Sequence, residues 1–493
     1  MTKEQNSSLE TYFSSFRKNI IGFDKHFDSV NGDMPIVYAD WTASGRLYRP
    51  IEEKLMNEFG PFVANTHTET SVTGTMMTLA YHKAREIIKE HVGADKNDCI
   101  ISFGSGMTGV VNKFQRILGL RVPEQLQKYL KLNEEDRPVV FVTHMEHHSN
   151  QTSWLETICD LEWITPTKEG LVDIESLKVL LEKYKNRKVK YASITACSNV
   201  TGIQTPYHEI AELMHQNGGY CFVDFACSAP YVNINMHPKN PMQKLDAIYF
   251  SPHKFLGGPG ATGIIIFSAD LYKISVPDHP GGGTVKWTNP WKEHTYIDSI
   301  EDREDGGTPP FLQTIKTALC VKLKEEMGVE NMLAREEEIL LKLIPSLKAI
   351  SGVNILAGNI ENRLGVISFY IDGLHYNLAV KLMNDKFGIQ SRGGCSCAGT
   401  YGHYLLNVSE EYSHGITNEI DKGILSNKPG WMRISIHPTM TDAEVDYMID
   451  AVKKIAAHFK EWEADYVYDK FTNEYTHKTI LSDQMKTVED WFE

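Results

Sequence analysis

The stretch Ser251-Pro252-His253-Lys254-Phe255-Leu256-Gly257-Gly258 directly follows the apolar run Ala247-Ile248-Tyr249-Phe250. A short apolar run of this kind, bounded by turn residues, predicts a buried strand. Because ligands bind beyond the carboxyl ends of strands in open α/β sheets, Lys254 is predicted to lie at a binding site. Without further support, a lone lysine beside a glycine-rich turn would be interpreted as a surface residue.

An acidic residue at the end of a second short strand supplies that support. Asp224 closes the run Cys221-Phe222-Val223-Asp224. A lysine held at a strand end is suited to forming a Schiff base. Pyridoxal phosphate (PLP) needs such a lysine together with an acid, because the acid keeps the pyridine nitrogen protonated and the ring an electron sink. The pair therefore predicts a PLP enzyme.

The composition is that of an ordinary globular protein, and it excludes several classes. The 493 residues are 42% hydrophobic and 23% charged, with a formal net charge of -14. An acidic balance without a basic, aromatic-rich stripe argues against nucleic-acid binding. The N-terminus lacks a signal-peptide pattern, and no apolar run reaches the length of a membrane span. The 8 scattered cysteines suit a reducing compartment, so we expect a cytoplasmic enzyme with no membrane partner.

Apolar strand-like runs alternate with helical ones between residues 99 and 268. This alternation predicts an α/β fold with a mainly parallel sheet and crossover helices. The predicted strands are residues 99–103, 138–142, 189–194, 220–223, 247–250 and 263–267, and the predicted helices between them include residues 174–185 and 209–216.

A second, smaller α/β unit follows a long helical stretch at residues 311–327. It has predicted strands at 364–371 and 431–437, a helix at 377–386, and a last helix that starts at the capping-box pattern of Thr441 and Glu444. Residues 125–136 and 410–429 are predicted to be charged loop insertions. The predicted domains are an N-terminal helical segment that packs with the small domain (1–37), a large PLP-binding domain (38–315), a small C-terminal domain (316–463) and an extension of unknown role (464–493).

The run Phe103-Gly104-Ser105-Gly106-Met107-Thr108-Gly109 lies between a predicted strand and a helical run. Small residues here let backbone N–H groups approach a phosphate at the positive end of a helix, and Thr108 adds a hydroxyl. Such turns are common, so this one alone is a weak signal. Together with the lysine and the acid it predicts a phosphate cup, with Ser251 and His253 as further donors.

A histidine-rich segment, His144-Met145-Glu146-His147-His148, follows another predicted strand. An imidazole at a strand end can stack on a cofactor ring and move protons. His144 and His148 stand four residues apart, which on a helix would place them on one face and admits a metal site. The segment emerges from a strand and lacks the zincin order His-Glu-x-x-His, so we favour stacking and predict no metal.

The run Ser391-Arg392-Gly393-Gly394-Cys395-Ser396-Cys397-Ala398-Gly399 carries a second set of reactive groups. Arg392 offers a planar fork for a substrate carboxylate. The glycines predict a mobile loop in which Cys397 swings toward the cofactor, and a thiol near cationic groups is a good nucleophile. A disulfide between Cys395 and Cys397, or half of a metal site, rank lower because no second cysteine pair lies nearby.

These motifs resemble those of aminotransferase class V, specifically its cysteine desulfurase and selenocysteine lyase group. The resemblance runs from about residue 38 to residue 458 and implies the PLP-dependent transferase fold type I. It implies that L-cysteine or L-selenocysteine is the substrate, that Cys397 receives the sulfur as a persulfide, and that L-alanine is released. It also implies a sulfur-acceptor protein and a homodimer with shared active sites.

The resemblance assigns roles to individual residues. Lys254 would carry the cofactor, Asp224 would contact the pyridine nitrogen, and His147 would stack on the ring. Further cofactor contacts are implied for Met107, Thr108, Asn199, Ser251, His253 and, toward the phosphate of a partner subunit, Thr284. Substrate contacts are implied for Arg392, Arg433, Asn199 and His67.

One position departs from the family pattern. Cys227 stands where the family commonly has a glutamine that holds the ring hydroxyl of the cofactor, and Asn199 or Ser228 is expected to take over. The departure leaves alternatives open: a selenocysteine lyase, an aminotransferase or epimerase that uses Lys254 without Cys397, or, as the least favoured, a non-catalytic scaffold.

Overall fold

The computed structural model of the protein describes residues 3–66, 70–479 and 484–493. Its helices are α1 (Lys3–Arg17), α2 (Arg49–Lys54), α3 (Val72–His91), α4 (Met107–Ile117), α5 (Glu124–Gln127), α6 (His148–Leu155), α7 (Ile174–Lys183), α8 (Tyr207–Gln216), α9 (Ile300–Arg303), α10 (Phe311–Met327), α11 (Val329–Lys348), α12 (Tyr376–Phe387), α13 (Gly399–Leu405), α14 (Glu410–Ile420), α15 (Asp442–Trp462) and α16 (Gln484–Asp490).

The strands are β1 (His26–Ser29), β2 (Gly32–Pro35), β3 (Val37–Tyr38), β4 (Asp98–Ser102), β5 (Val139–Thr143), β6 (Asp160–Ile164), β7 (Lys190–Thr195), β8 (Tyr220–Asp224), β9 (Ala247–Phe250), β10 (Ile264–Ser268), β11 (Val285–Thr288), β12 (His294–Tyr296), β13 (Val353–Ile355), β14 (Val366–Ile371), β15 (Ile389–Gln390), β16 (Arg392–Gly394), β17 (Trp431–Ser435), β18 (Tyr466–Asp469) and β19 (Glu474–His477).

The large domain is built on a seven-stranded mixed sheet with the order β4-β10-β9-β8-β7-β5-β6. Strands β5 to β9 run parallel to one another, and β10 runs antiparallel to both β4 and β9. Strands β5, β7, β9 and β10 are buried along their whole length, as expected for a sheet covered on both faces by helices. The prediction of a mainly parallel mixed sheet is confirmed.

The strand directions bring the candidate site residues to one edge of this sheet. Strands β4, β5, β7, β8 and β9 all point their carboxyl ends the same way. The glycine-rich turn follows β4, His147 follows β5, Asn199 follows β7, Asp224 ends β8, and Lys254 follows β9. Separate stretches of sequence therefore converge because parallel strands share an edge.

The small domain carries an antiparallel sheet with the order β13-β14-β17-β16, packed against α11 and α12. Strands β16 and β17 pair Arg392 with Arg433, so the two arginines stand opposite each other. In the N-terminal segment, β3 pairs with β15, α1 packs on α11, and Arg17 forms an ion pair with Glu444 at 2.7 Å. The domain boundaries themselves stay a prediction.

Two differences from the predicted elements have clear physical causes. Residues 410–429 are not simply a charged loop, and that prediction is wrong: α14 begins there, with the Ser409 side chain accepting the Tyr412 N–H and two glutamates in the positive first turn. Strand β6 was not among the predicted strands, because it lies at the sheet edge and alternates polar with apolar residues instead of forming an apolar run.

The predicted capping box at Thr441 is confirmed. None of the described helices is both long and apolar enough to cross a membrane.

Candidate active site

A cavity of about 200 Å³ lies at the shared strand edge, where the small domain meets the large one. Among its lining residues are most of the predicted site residues: Met107, Thr108, His147, Asn199, Asp224, Ser251, His253, Lys254, Arg392, Cys397 and Arg433. Residues outside the prediction complete the lining: Thr42, Ala43, Ser149, Thr195, Cys197, Ala226, Cys227 and Ser396. Thr284 lies in a turn away from the cavity, where its hydroxyl donates to the Gly281 carbonyl at 2.6 Å. His67 lies outside the described residues.

Lys254 and Asp224 are both buried in this lining. Burial lowers the pKa of the Lys254 amine, although the neighbouring Cys227 and Asp224 act in the opposite direction. Burial raises the pKa of the Asp224 carboxyl to about 6, against the Ala226 N–H and Lys254, which lower it. At neutral pH the carboxylate is therefore still mostly ionised, and burial makes the amine of Lys254 easier to deprotonate than an exposed lysine.

His147 is held as a neutral imidazole. Its Nδ1 accepts the Ser149 N–H at 3.1 Å and caps the start of α6. Burial, and after it the positive charge of Lys254, lowers the pKa of His147 to about 3. Because Nδ1 is an acceptor, the ring proton sits on Nε2.

The glycine-rich turn ends at the N-terminus of α4 and packs on the segment after β9. The Met107 N–H donates to Ser251 Oγ at 2.8 Å, and Thr108 Oγ1 lies 2.7 Å from Ser149 Oγ. A Cβ on Gly106 would lie 3.0 Å from Ser251 Oγ, so glycine permits this close approach. The result is a cradle of hydroxyls at a helix N-terminus, which suits a phosphate group.

The second wall of the cavity is the cysteine loop, residues Cys395, Ser396 and Cys397. Ser396 and Cys397 have φ values of 50° and 57°, a left-handed conformation that residues other than glycine keep only when surrounding contacts hold it. The Asn199 amide donates to the Ser396 carbonyl at 2.7 Å, and the His148 backbone N–H donates to the Cys397 carbonyl at 2.7 Å. Residues of the large domain therefore donate hydrogen bonds to two consecutive carbonyl groups of the loop.

His148 is a functional contact that the sequence reasoning missed. Its Nε2 accepts the Gly399 N–H at 2.9 Å, so its ring and its backbone both hold the segment around Cys397. His144 is engaged elsewhere, with Nε2 3.2 Å from the Gly170 carbonyl. The only signal in the sequence was the pair of adjacent histidines, His147 and His148. The pair did not indicate that His147 lines the cavity while His148 holds the cysteine loop.

The two arginines differ in what they contact. Arg433 is 2% exposed and donates to Asp40 Oδ1 at 2.6 Å and to the Asn199 carbonyl at 3.1 Å. Arg392 is exposed and borders the same cavity. Arg433 therefore anchors the neighbouring Asn199, whereas Arg392 borders the cavity with an exposed side chain.

Cys227 and Cys197 form a buried thiol pair beside Lys254. Both thiols donate to the Ser198 carbonyl at 3.7 Å. The hydrogen bond with Cys197 lowers the pKa of the Cys227 thiol, and Lys254 acts in the same direction. Of the two expected substitutes for the family glutamine, Asn199 lines the cavity, whereas Ser228 is buried outside the lining.

The lining fits PLP by its own chemistry. It offers a buried lysine, a buried carboxylate, a neutral histidine, and a hydroxyl cradle that a Cβ on Gly106 would crowd. On an α/β sheet, this set defines a PLP-dependent enzyme. The chain belongs to the aminotransferase class-V family, whose model matches residues 37–448.

Comparisons with individual proteins agree with this assignment. A probable cysteine desulfurase from Halalkalibacterium halodurans is 29% identical over 378 residues, covering 75% of this chain and 85% of that protein. A probable cysteine desulfurase from Staphylococcus aureus is 27% identical over 435 residues, covering 87% of this chain and 94% of its own length. The apo structure of a cysteine desulfurase from Thermococcus onnurineus has a TM-score of 0.69 at 21% identity, covering 90% of this chain and 98% of its own. That structure shows the shared fold, PLP-dependent transferase fold type I.

Proposed function

We propose that the protein is a cysteine desulfurase, which moves the sulfur of L-cysteine onto Cys397 as a persulfide and releases L-alanine. The observation that carries this proposal is that Cys397 lines the same cavity as Lys254 and Asp224. An aminotransferase needs the lysine and the acid but no thiol in that position. The names of the curated relatives support the substrate class.

The large domain supplies the groups that hold the cofactor and move protons. Bound PLP supplies an electron sink for negative charge that develops on the substrate. Asp224, mostly ionised at neutral pH, stabilises a protonated pyridine nitrogen. Lys254 Nζ accepts the α-proton of the substrate, and burial, which lowers the pKa of the amine, shifts it toward the neutral form that can do so.

We assign binding of the substrate carboxylate to Arg392 rather than to Arg433. Arg433 is committed to Asp40 and the Asn199 carbonyl, so we assign it to positioning Asn199. Arg392 is exposed and borders the cavity, so it can receive the substrate carboxylate through two parallel N–H donors.

Sulfur transfer falls to Cys397. An S–S bond forms between Cys397 and the substrate sulfur as the C–S bond of the substrate breaks, and a proton goes to the substrate carbon. One L-cysteine and one thiol give one L-alanine and one persulfide. A sulfur-acceptor protein, a homodimer with shared active sites and a cytoplasmic location belong to the same proposal.

The variant Cys397→Ser tests the proposal. It should keep the visible absorbance of lysine-bound PLP and lose sulfide and alanine formation by about 10²–10⁴-fold, the scale of removing a positioned reacting group. Cys159→Ser, at a cysteine outside the cavity lining, is the matched control and should behave as the parent. Full turnover in Cys397→Ser would refute the persulfide role, and keto-acid release without sulfide would identify an aminotransferase instead.

A further inference from the structure

The C-terminal extension forms a β-hairpin beyond the region that the family model matches, which ends at residue 448. Strands β18 and β19 pair antiparallel, and β19 packs against α12 of the small domain. The Tyr466 hydroxyl donates to Asp385 Oδ2 at 3.0 Å in a buried contact. The hairpin is therefore docked on the small domain by specific polar contacts.

The turn of this hairpin clamps the first residues of α12. Asn473 is 7% exposed and has a φ of 61°. Its Nδ2 donates to the Tyr376 hydroxyl at 2.7 Å, and its Oδ1 accepts from the Tyr468 hydroxyl at 2.8 Å. The Asn377 amide donates in turn to the Asn473 carbonyl. The side-chain amide and the carbonyl of Asn473 bind the first two residues of α12, while its Oδ1 ties the turn to β18 within the hairpin.

The clamped residues touch the strand that leads into the cysteine loop. A Cβ on Gly393 in β16 would lie 2.7 Å from Asn377 Oδ1 and 3.3 Å from Tyr376 Cδ2. A Cβ on Gly430, just before β17, would lie 2.6 Å from Tyr376 Cε1. Glycine at these positions lets the two strands lie directly on the clamped side chains, and Cys395 follows β16 without a break.

The hairpin also holds the insertion that follows the cysteine loop. The Leu425 N–H donates to the Lys470 carbonyl at 2.9 Å. Leu425 comes after α14, and Ile416 of α14 lines a cavity together with Cys395 and Trp431. The hairpin thus contacts the structure on both sides of the loop.

We propose that the C-terminal hairpin is a brace that holds the cysteine loop in the conformation that directs Cys397 into the cavity, with Asn473 as its positioning residue. Ser396 and Cys397 both adopt a left-handed conformation that needs outside support. The large domain supports the loop at its carbonyls, and the brace supports it from the small domain. The effect on turnover rests on the proposed desulfurase function, whereas the effect on the loop does not.

The test compares two substitutions at Asn473 in the full-length, PLP-loaded protein. Asn473→Gly removes the amide and tolerates the positive φ. Asn473→Asp keeps the acceptor for the Tyr468 hydroxyl and replaces the Nδ2 donor with a carboxylate oxygen, to which the Tyr376 hydroxyl can donate instead. The readouts are the rate of Cys397 alkylation by iodoacetamide, followed on its peptide by mass spectrometry, and kcat and KM for L-cysteine. Asn473→Gly should change the rate of Cys397 alkylation by about tenfold and lower kcat by about tenfold, the scale of a lost buried hydrogen bond. KM for L-cysteine and the absorbance of bound PLP should stay unchanged. Asn473→Asp should stay within about twofold of the parent.

Two further variants serve as controls for the Asn473 substitutions. Tyr376→Phe removes the same hydrogen bond from the other side and should reproduce Asn473→Gly. Asn407→Gly makes the same change at an exposed asparagine with a φ of 51° and should behave as the parent. Unchanged alkylation in both Asn473→Gly and Tyr376→Phe, or an equal change in Asn407→Gly, would overturn the brace. Altered alkylation in a protein that never releases sulfide would support the brace and refute the proposed function.

Discussion

The two sides of the active-site cavity, a floor at the edge of the large sheet and the cysteine loop opposite it, are built in different ways. The floor, which consists of His147, Asn199, Asp224 and Lys254, sits at the carboxyl ends of adjacent parallel strands whose ladders fix its geometry. The cysteine loop is not part of a ladder at Ser396 and Cys397. It keeps two left-handed residues in place through contacts from the large domain. The positions of the floor residues follow from the sheet, because each lies at or just beyond a strand end, whereas the conformation of the loop depends on its contacts with the rest of the protein.

This difference separates two tasks of one enzyme. In the proposed mechanism, the floor and the hydroxyl cradle at the start of α4 hold PLP, and the floor moves the proton; these groups would serve many reactions of the cofactor. In the proposed reaction, the loop adds the thiol that receives the sulfur. A change in the floor should remove cofactor and activity together, whereas a change in the loop should remove one reaction and leave the cofactor in place.

The largest effect is expected at Lys254, which tests the floor alone. Both Lys254→Ala and Lys254→Arg lose the amine that, in the proposed mechanism, holds the cofactor and accepts the proton, so sulfide release should fall by about 10²–10⁴-fold. The visible absorbance of lysine-bound PLP should disappear in both. Arginine retains the positive charge, so an equal loss in the two variants would assign the effect to the nucleophilic amine. A normal spectrum in Lys254→Arg would show that another residue holds the cofactor.

A smaller, pH-dependent effect is expected at Asp224. Burial raises its pKa to about 6, so the cofactor-free protein gains a proton there as the pH falls through about 6. The ionised carboxylate is the form that stabilises a protonated pyridine nitrogen, so PLP affinity should decrease as the pH is lowered from about 7 to about 5. Asp224→Asn should lack this step and turn over L-cysteine about 10²-fold more slowly.

The measurement is a PLP titration of both apo proteins across that pH range. Free PLP titrates identically in both experiments, so the ratio of the two affinities isolates the interaction of residue 224 with the bound ring. A ratio that stays constant with pH would contradict the assignment of this carboxylate to the ring nitrogen.

The floor could be predicted from sequence because its position is encoded locally. Asp224 ends an apolar run, and Lys254 and His147 each follow one closely. The rule that parallel strand ends gather at one edge then brings them together.

The support of the cysteine loop could not be predicted in this way. The contacts of Asn199 with Ser396 and of His148 with Cys397 join segments that are far apart in the chain. No local pattern encodes them, because they depend on how the two domains pack. The hairpin around Asn473 has the same character: its sequence is short, polar and aromatic, and only its docking on Tyr376 gives it a role.

The smallest effect is expected at Cys395, although it lies in the same loop as Cys397. Cys395 lines an apolar cavity of about 120 Å³ together with residues of α14, whereas Cys397 lines the active-site cavity. Since the two side chains face different cavities, Cys395→Ala should leave sulfide release within about twofold of the parent. Comparison of Cys395→Ala with Cys397→Ser therefore distinguishes a cysteine that takes part in the reaction from one that only packs against α14. A loss as large as that of Cys397→Ser would place Cys395 in the sulfur transfer, and the reactive wall of the cavity would then include both thiols.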